Sequence, residues 1–160
     1  MRLTVRALLV LAVALAACGE KEKEREEHEE KEKAREEHSD LTAFELENGI
    51  GPVKEKIELG PLDRALADKG KAVFEAKCSM CHKIDTLYIG PALGEVTTRR
   101  TPAYIMNMIL NPQEMVERHP VAKQLLAERM TFMANQNLSI EDARAVLEYL
   151  RTQAKAAPKP

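Results

Sequence analysis

The chain has 160 residues, a length that suits one globular domain with additional segments. Its formal net charge is −2, so we expect no basic surface for nucleic acid and no nucleic-acid partner. It has three cysteines, Cys18, Cys78 and Cys81, and an odd number does not suit a framework of paired disulfides.

The first 17 residues have the pattern of a signal peptide. Arg2 and Arg6 form a positive start, and residues 7–17 are an uninterrupted apolar run. A membrane-spanning helix needs roughly 20 apolar residues, and this run is shorter. Residues 1–17 are therefore predicted to be an export signal that is removed from the mature protein.

Cys18 follows that run directly. The sequence Leu15-Ala16-Ala17-Cys18 resembles the lipobox of bacterial lipoprotein precursors. The resemblance implies cleavage before Cys18 and lipidation of its thiol and its new amino end. Several acyl chains would give stable anchoring, so we expect a protein held on the periplasmic side of a bacterial membrane, inner or outer. The alternative is an ordinary secretory signal with a chance cysteine.

The lipidated cysteine and a charged tether make up residues 18–40. Residues 20–38 comprise ten Glu, four Lys, two Arg, two His and one Ala, without an apolar face. Such a segment cannot pack against a core and is expected to be solvated. His28 and His38 are interpreted as tether residues, since nothing in this segment fixes a geometry for metal binding.

Residues 41–61 are predicted to form an irregular arm, because Gly49, Gly51, Pro52, Gly60 and Pro61 interrupt them. The arm is expected to lie over the following domain, since its apolar side chains need burial. These side chains are Leu41, Phe44, Leu46, Ile50 and Val53.

Residues 62–160 are predicted to be an all-α domain, because no stretch alternates with period two. A first helix with Leu62, Leu66, Val73 and Phe74 on one face is expected to end near Lys77. A second helix is expected from the cap at Thr101-Pro102 to the residue before Asn111-Pro112, which opens a short turn through Glu117. Further helices are predicted from Pro120 through Leu126, and from the Ser139/Asp142 capping box to near Gln153, before a frayed tail over 156–160.

Cys78-Ser79-Met80-Cys81-His82 is the motif with the most specific chemistry. Two cysteines three apart at a helix end can each add to one vinyl group of the same haem, and the following His82 then becomes an axial iron ligand. A thioredoxin-like redox pair needs a βαβ pattern that the chain lacks. A zinc site needs two more ligands, and only the scattered His28, His38 and His119 remain. We therefore expect one covalent haem c.

With this motif the sequence resembles the class I cytochrome c family over nearly all of residues 62–153. Residues 70–77 are similar to that family's first helix, with Gly70 and Phe74 at the positions where it crosses the last helix. Leu147, Tyr149 and Leu150 match the end of the last helix. Residues 90–94 match the loop in which the carbonyl of Pro91 accepts a hydrogen bond from His82. The resemblance implies a cytochrome c fold of three to five helices packed around haem.

The resemblance also implies a methionine as the distal iron ligand, from a loop shortly before the last helix. Met133 precedes Ser139 by six residues, a spacing similar to that in short bacterial members. Met130 is the alternative, and neither is followed by the proline common in the family. Met106, Met108 and Met115 are expected in the core, and Met80 is expected to point away from the iron.

The family implies an electron carrier rather than an enzyme, one that exchanges single electrons with redox proteins between respiratory components of the periplasm. Residues 49–52 and 104–112 resemble a subgroup of exported bacterial monohaem cytochromes associated with denitrification, including nitrous-oxide reduction. The rim residues Lys77, Lys83, Arg99 and Arg100 are candidates for steering an acidic partner. The alternatives are a haem enzyme or sensor with an open iron site, and a structural haem subunit docked permanently in a respiratory complex.

Overall fold

The computed structural model describes residues 40–154. Several predicted features lie outside the described residues: the signal peptide, lipidation at Cys18, the tether with His28 and His38, and the C-terminal tail. Within the described part no strand occurs, which confirms the all-α fold class. Seven helices follow one another: α1 (Ala43–Asn48), α2 (Arg64–Lys77), α3 (Val96–Arg99), α4 (Pro102–Leu110), α5 (Pro112–Arg118), α6 (Pro120–Arg129) and α7 (Ile140–Gln153).

The predicted arm is not irregular throughout, because α1 lies inside it. Thr42 caps this helix through a capping box with Glu45, a Thr-x-x-Glu signal that the sequence prediction overlooked. Leu41 and Ile50 are buried as expected, at 8% and 2% exposure, whereas Leu46 is 43% exposed and that burial prediction was wrong. The short helices α1 and α3 also raise the count above the three to five expected.

Local caps explain where the longer helices begin. Asp63 caps α2, so Leu62 precedes the helix instead of lying on its face. Thr101 accepts a hydrogen bond from the Tyr104 amide at the start of α4, and Pro112 separates α4 from α5 because it has no amide hydrogen. The Ser139/Asp142 capping box opens α7, as predicted.

The first and last long helices, α2 and α7, cross in close contact. A Cβ atom at Gly70 would collide with the carbonyl group of Ala145 and would lie 2.9 Å from the Val146 amide nitrogen. The Phe74 and Tyr149 rings pack beside this crossing, with centroids 5.2 Å apart. Glycine is therefore required at position 70 by the approach of the α7 backbone, and the predicted crossing is confirmed.

The arm is held to α4 by one buried amide side chain. The Asn107 Nδ2 group donates to the carbonyl oxygens of Asn48 and Val53, both at 3.0 Å, and its Oδ1 accepts from the Val53 amide at 3.0 Å. Asn107 is completely buried. Because the arm's backbone has few partners of its own here, this side chain satisfies polar groups that would otherwise be buried without hydrogen bonds.

A second polar anchor, Glu148 of α7, holds the segment that leads into α2. Its carboxylate is fully buried and accepts hydrogen bonds from the Asp63 amide at 2.8 Å and from Arg151 at 2.7 Å, with Arg144 as a third partner. Burial alone would raise the pKa of Glu148, but these three donors outweigh it, and the pKa lies below its ordinary value. The carboxylate therefore stays charged at neutral pH.

We predict that Glu148→Gln lowers the free energy of unfolding at pH 7 by roughly 2–3 kcal/mol. This is at or below the low end of the range for removing one partner of a buried pair, because Arg144 and Arg151 remain partly exposed. Since the folded pKa is lowered, the carboxylate's contribution is complete above about pH 4.3 and is lost as the pH falls through the folded value. Urea unfolding from pH 7 to pH 3 should show the wild-type advantage shrinking on acidification.

The matched control is Glu75→Gln, in the exposed pair of Lys71 and Glu75 one turn apart on α2. Exposed pairs contribute little, so this change should cost less than about 0.5 kcal/mol. Equal losses for the two variants would contradict a special role of the buried carboxylate.

Candidate functional site

The haem motif lies in a tight turn at the end of α2. The Cys78 and Ser79 amides still donate to the Phe74 carbonyl, at 2.8 and 2.9 Å, and the His82 amide donates to the Cys78 carbonyl at 2.9 Å. This turn brings Cys78, Cys81 and His82 to the wall of one large cavity. The three residues that sequence predicted to act together are therefore neighbours in space.

The loop after the motif folds back onto the His82 ring. The Gly90 amide donates to the Cys81 carbonyl at 2.8 Å, which holds the next residue, Pro91, against the imidazole. His82 Nδ1 lies 3.0 Å from the Pro91 carbonyl oxygen. Because a carbonyl oxygen only accepts, Nδ1 carries the proton and Nε2 keeps its lone pair for a metal. The expected contact between His82 and Pro91 is thus present.

Gly90 makes this approach sterically possible. A Cβ atom at this position would lie 2.7 Å from His82 Nδ1 and 2.8 Å from Nε2, closer than such atoms come in proteins. A side chain at position 90 would therefore displace either the loop or the His82 ring and disturb the contact to Pro91.

The surroundings of Cys78 differ from those of a reactive, redox-active thiol. Both thiols are free, and Cys78 is half-buried. Burial, together with the neighbouring Cys81, raises the pKa of the Cys78 thiol to about 11. A redox-active pair requires a lowered thiol pKa. Among residues 40–154 no group of three or more His, Cys, Asp or Glu side chains could hold a metal ion.

The cavity beside the motif has a volume of about 580 Å³, within the range of roughly 300–1,000 Å³ for ligand sites. Its inner wall is apolar and includes Phe74, Leu93, Ile109, Val146 and Leu150. At its mouth Leu87, Ile89 and Phe132 are 57%, 46% and 69% exposed. Several large apolar side chains exposed around one cavity indicate a surface that an apolar ligand covers. The residues present therefore fit a large, flat, apolar group bound next to His82.

The two candidate distal methionines differ in position. Met133 is half-buried, lines the cavity and packs against the core. Met130 does not line the cavity, is 87% exposed, and terminates α6 with a left-handed φ of 53°. Met106 and Met115 are buried in the core as predicted, whereas Met108 is half-buried and lines the cavity. Met80 is 79% exposed and, as expected, away from the cavity.

The charged rim is only partly as expected. Lys77, Arg99 and Arg100 line the cavity, while Lys83 lies outside it, bonded to the Ser79 carbonyl and placed over the Tyr88 ring. Sequence reasoning missed Tyr104 as a cavity residue and covered it only by the range of the second predicted helix. Its hydroxyl group, between the apolar neighbours Ala103 and Ile105, was the available signal.

No helix among the described residues is long and apolar enough to cross a bilayer.

Comparison with known proteins gives a consistent result. The cytochrome c family model matches residues 67–154. A cytochrome c-553-like protein of Synechocystis sp. is 38% identical over 32% of this chain and 61% of its own length. Cytochrome c-551 of Stutzerimonas stutzeri is 50% identical over 22% of this chain and 35% of its own length. The chain thus spans less than two thirds of either relative.

Among solved structures, a cytochrome c from Rhodothermus marinus is 51% identical, with a TM-score of 0.66. The match covers 71% of this chain and 97% of that protein. This coverage and the family match both point to a cytochrome c. The arrangement of Cys78, Cys81 and His82 on one cavity wall is consistent with that family. The chain therefore belongs to the cytochrome c family, whose members bind haem c covalently and transfer electrons.

Proposed function

We propose that this protein is an exported, lipid-anchored monohaem cytochrome c that carries single electrons between redox proteins of a respiratory chain. The observation that supports this best is the His82 imidazole, bonded through Nδ1 to Pro91 and placed beside Cys78 and Cys81 on the wall of an apolar cavity. This arrangement would supply two points of attachment and one oriented metal ligand.

Haem c bound there would supply one-electron redox chemistry at a single iron. Cys78 and Cys81 would hold it as thioethers, and His82 Nε2 would bind the iron. The hydrogen bond to Pro91 fixes the ring orientation and the tautomer, which also raises the basicity of the ligating nitrogen. The apolar lining residues would limit the access of water to a haem bound in the cavity.

Met133 is our proposed distal ligand, supported by its place on the cavity wall. Met130 remains the second candidate for a specific reason. A non-glycine residue with φ of 53° and an 87% exposed apolar side chain is unusual, and such local strain clusters at functional sites. Either thioether would fill the sixth coordination position. The alternative of a haem enzyme or sensor requires that position to be open.

The setting of this electron transfer is also part of the proposal. The domain order is a signal peptide (1–17), a lipidated Cys18 with a charged tether (18–40), an arm (41–61) and the haem domain (62–160). The resemblance of residues 49–52 and 104–112 to a subgroup associated with denitrification supports a respiratory chain of the periplasm. Exposed cations such as Lys83 support a partner with an acidic surface.

We predict that Met133→Ala abolishes the weak thioether-to-iron charge-transfer band of the ferric protein, lowers its reduction potential and lets the ferrous iron bind carbon monoxide. Met130→Ala should keep the band and change stability by less than about 0.5 kcal/mol, because this side chain is exposed. Visible spectra and redox titrations of both purified holoproteins measure these effects.

Met108→Ala is the matched control, because Met108 lines the same cavity from within α4. It should retain the band despite its lost packing. The reverse pattern for Met130 and Met133 would assign the ligand to Met130. A wild-type protein that lacks the band and binds carbon monoxide freely would contradict the electron-carrier proposal and favour an open-site haem protein.

We predict that Cys18→Ala prevents lipidation, so that the protein is released in soluble form or stays as precursor while haem attachment continues. Fractionation after a salt wash, with haem staining of each fraction, measures both effects. Cys18 is far in sequence from the haem motif, so the stained domain should fold in either case. A variant that stays in the salt-washed membrane as mature protein would contradict a lipid anchor at this residue.

A further inference from the structure

Two polar groups in the cavity are buried without any partner. The Tyr104 hydroxyl and the Arg129 Nε atom have no hydrogen-bond partner, although Tyr104 is only 5% exposed. Both residues line the cavity beside the haem motif. An orphaned buried donor costs stability, so such groups in a native protein indicate a missing partner.

The charges around the cavity specify the sign of that partner. Its charged lining residues are Lys77, Arg99, Arg100 and Arg129, and no acidic side chain belongs to the wall. The guanidinium group of Arg100 lies 5.2 Å from the centre of the Tyr104 ring, so a cation accompanies the orphaned hydroxyl. A partly apolar cavity with several cations and no acid favours an anionic ligand.

The other groups that face Tyr104 do not satisfy its hydroxyl. His119 meets its ring edge-on, at a centroid distance of 5.2 Å, but directs its own nitrogens to the Leu46 carbonyl and the Val121 amide. Met115 and Ala122 pack around the ring as apolar neighbours. The Tyr104 hydroxyl is therefore available to form a hydrogen bond with a ligand in the cavity.

We propose that Tyr104 and Arg129 donate hydrogen bonds to the propionate carboxylates of the haem, with Arg100 supplying further positive charge. Haem is apolar over its ring and anionic at its two propionates, and the cavity matches both properties. This inference rests on the proposed haem site at Cys78 and Cys81. It assigns to Arg100 a role toward the haem in place of the partner-steering role considered from sequence.

The consequence is a stabilised negative charge near the iron. Charge-assisted hydrogen bonds are stronger than neutral ones, so they keep the propionates ionised at neutral pH. Removing a donor favours the protonated carboxyl and raises its pKa. The positive charge of ferric iron favours the ionised form, so the potential falls as the pH rises through the propionate pKa.

Tyr104→Phe in the full holoprotein tests the proposal. The pH range over which the reduction potential falls should move upward by about one unit, a tenfold change in proton affinity. Arg129→Gln should move it in the same direction. Two controls match these changes: Tyr149→Phe, whose ring packs on Phe74 outside the cavity, and Arg64→Gln, which removes an equal charge at the exposed start of α2.

The melting temperature of Tyr104→Phe is a second measurement. It should change in opposite directions, depending on whether the Tyr104 hydroxyl lacks a partner or binds a propionate in the holoprotein. If the Tyr104 hydroxyl stays orphaned in the holoprotein, Tyr104→Phe removes an unsatisfied group and raises the melting temperature. If it binds a carboxylate, the same change lowers it. A raised melting temperature with a pH profile like that of Tyr149→Phe would overturn the proposal.

Two further measurements distinguish the propionate contacts from a site for a dissolved anion and from a protein without covalent haem. Potentials measured in chloride and in phosphate buffers should agree, and a dependence on phosphate would instead indicate a site for a dissolved anion and overturn the proposal. Haem staining after denaturation should be equal for all variants and wild type. Its absence in wild type would refute the haem site itself, whereas stained variants with unchanged pH profiles would refute only the propionate contacts.

Discussion

The hydrogen bond between the His82 ring and the Pro91 carbonyl is the contact on which the rest of the site depends. It fixes the tautomer, and with it the nitrogen that can bind iron. The contact itself depends on Gly90, whose missing side chain leaves space for the ring, and on the turn that carries the motif away from α2. One backbone carbonyl therefore connects the loop, the haem motif and the proposed metal ligand.

The remaining architecture keeps this arrangement rigid. The crossing of α2 and α7 at Gly70 sets the end of α2, where the motif begins. Glu148 connects the residue before α2 to α7, and Asn107 connects the arm to α4. Both side chains are buried, and their hydrogen bonds join segments that are distant in sequence. Such buried polar contacts help a small domain to keep a large cavity beside its core.

The residues of the haem motif could be predicted from the sequence more completely than the segments that surround them. The spacing of Cys78, Cys81 and His82 is a local pattern, whereas the roles of the loop proline and of Gly70 were implied by the resemblance to class I cytochromes c. The structure shows the His82–Pro91 contact and the close approach at Gly70 that were expected. The arm helix was missed although Thr42 and Glu45 form its cap. Asn107 and Glu148 could not be assigned, because the backbone groups that they bind lie 54 to 85 residues away in the sequence. Long-range polar contacts leave no periodic signal in a sequence.

The most direct test of the account is the protonation of the His82 ring in the reduced holoprotein, measured by nuclear magnetic resonance with ¹⁵N-labelled histidine. We predict a protonated Nδ1 whose hydrogen exchanges slowly with solvent, as expected for a donor held by Pro91, and an unprotonated Nε2 bound to iron. An unprotonated Nδ1, or a proton that exchanges as fast as in free imidazole, would contradict it.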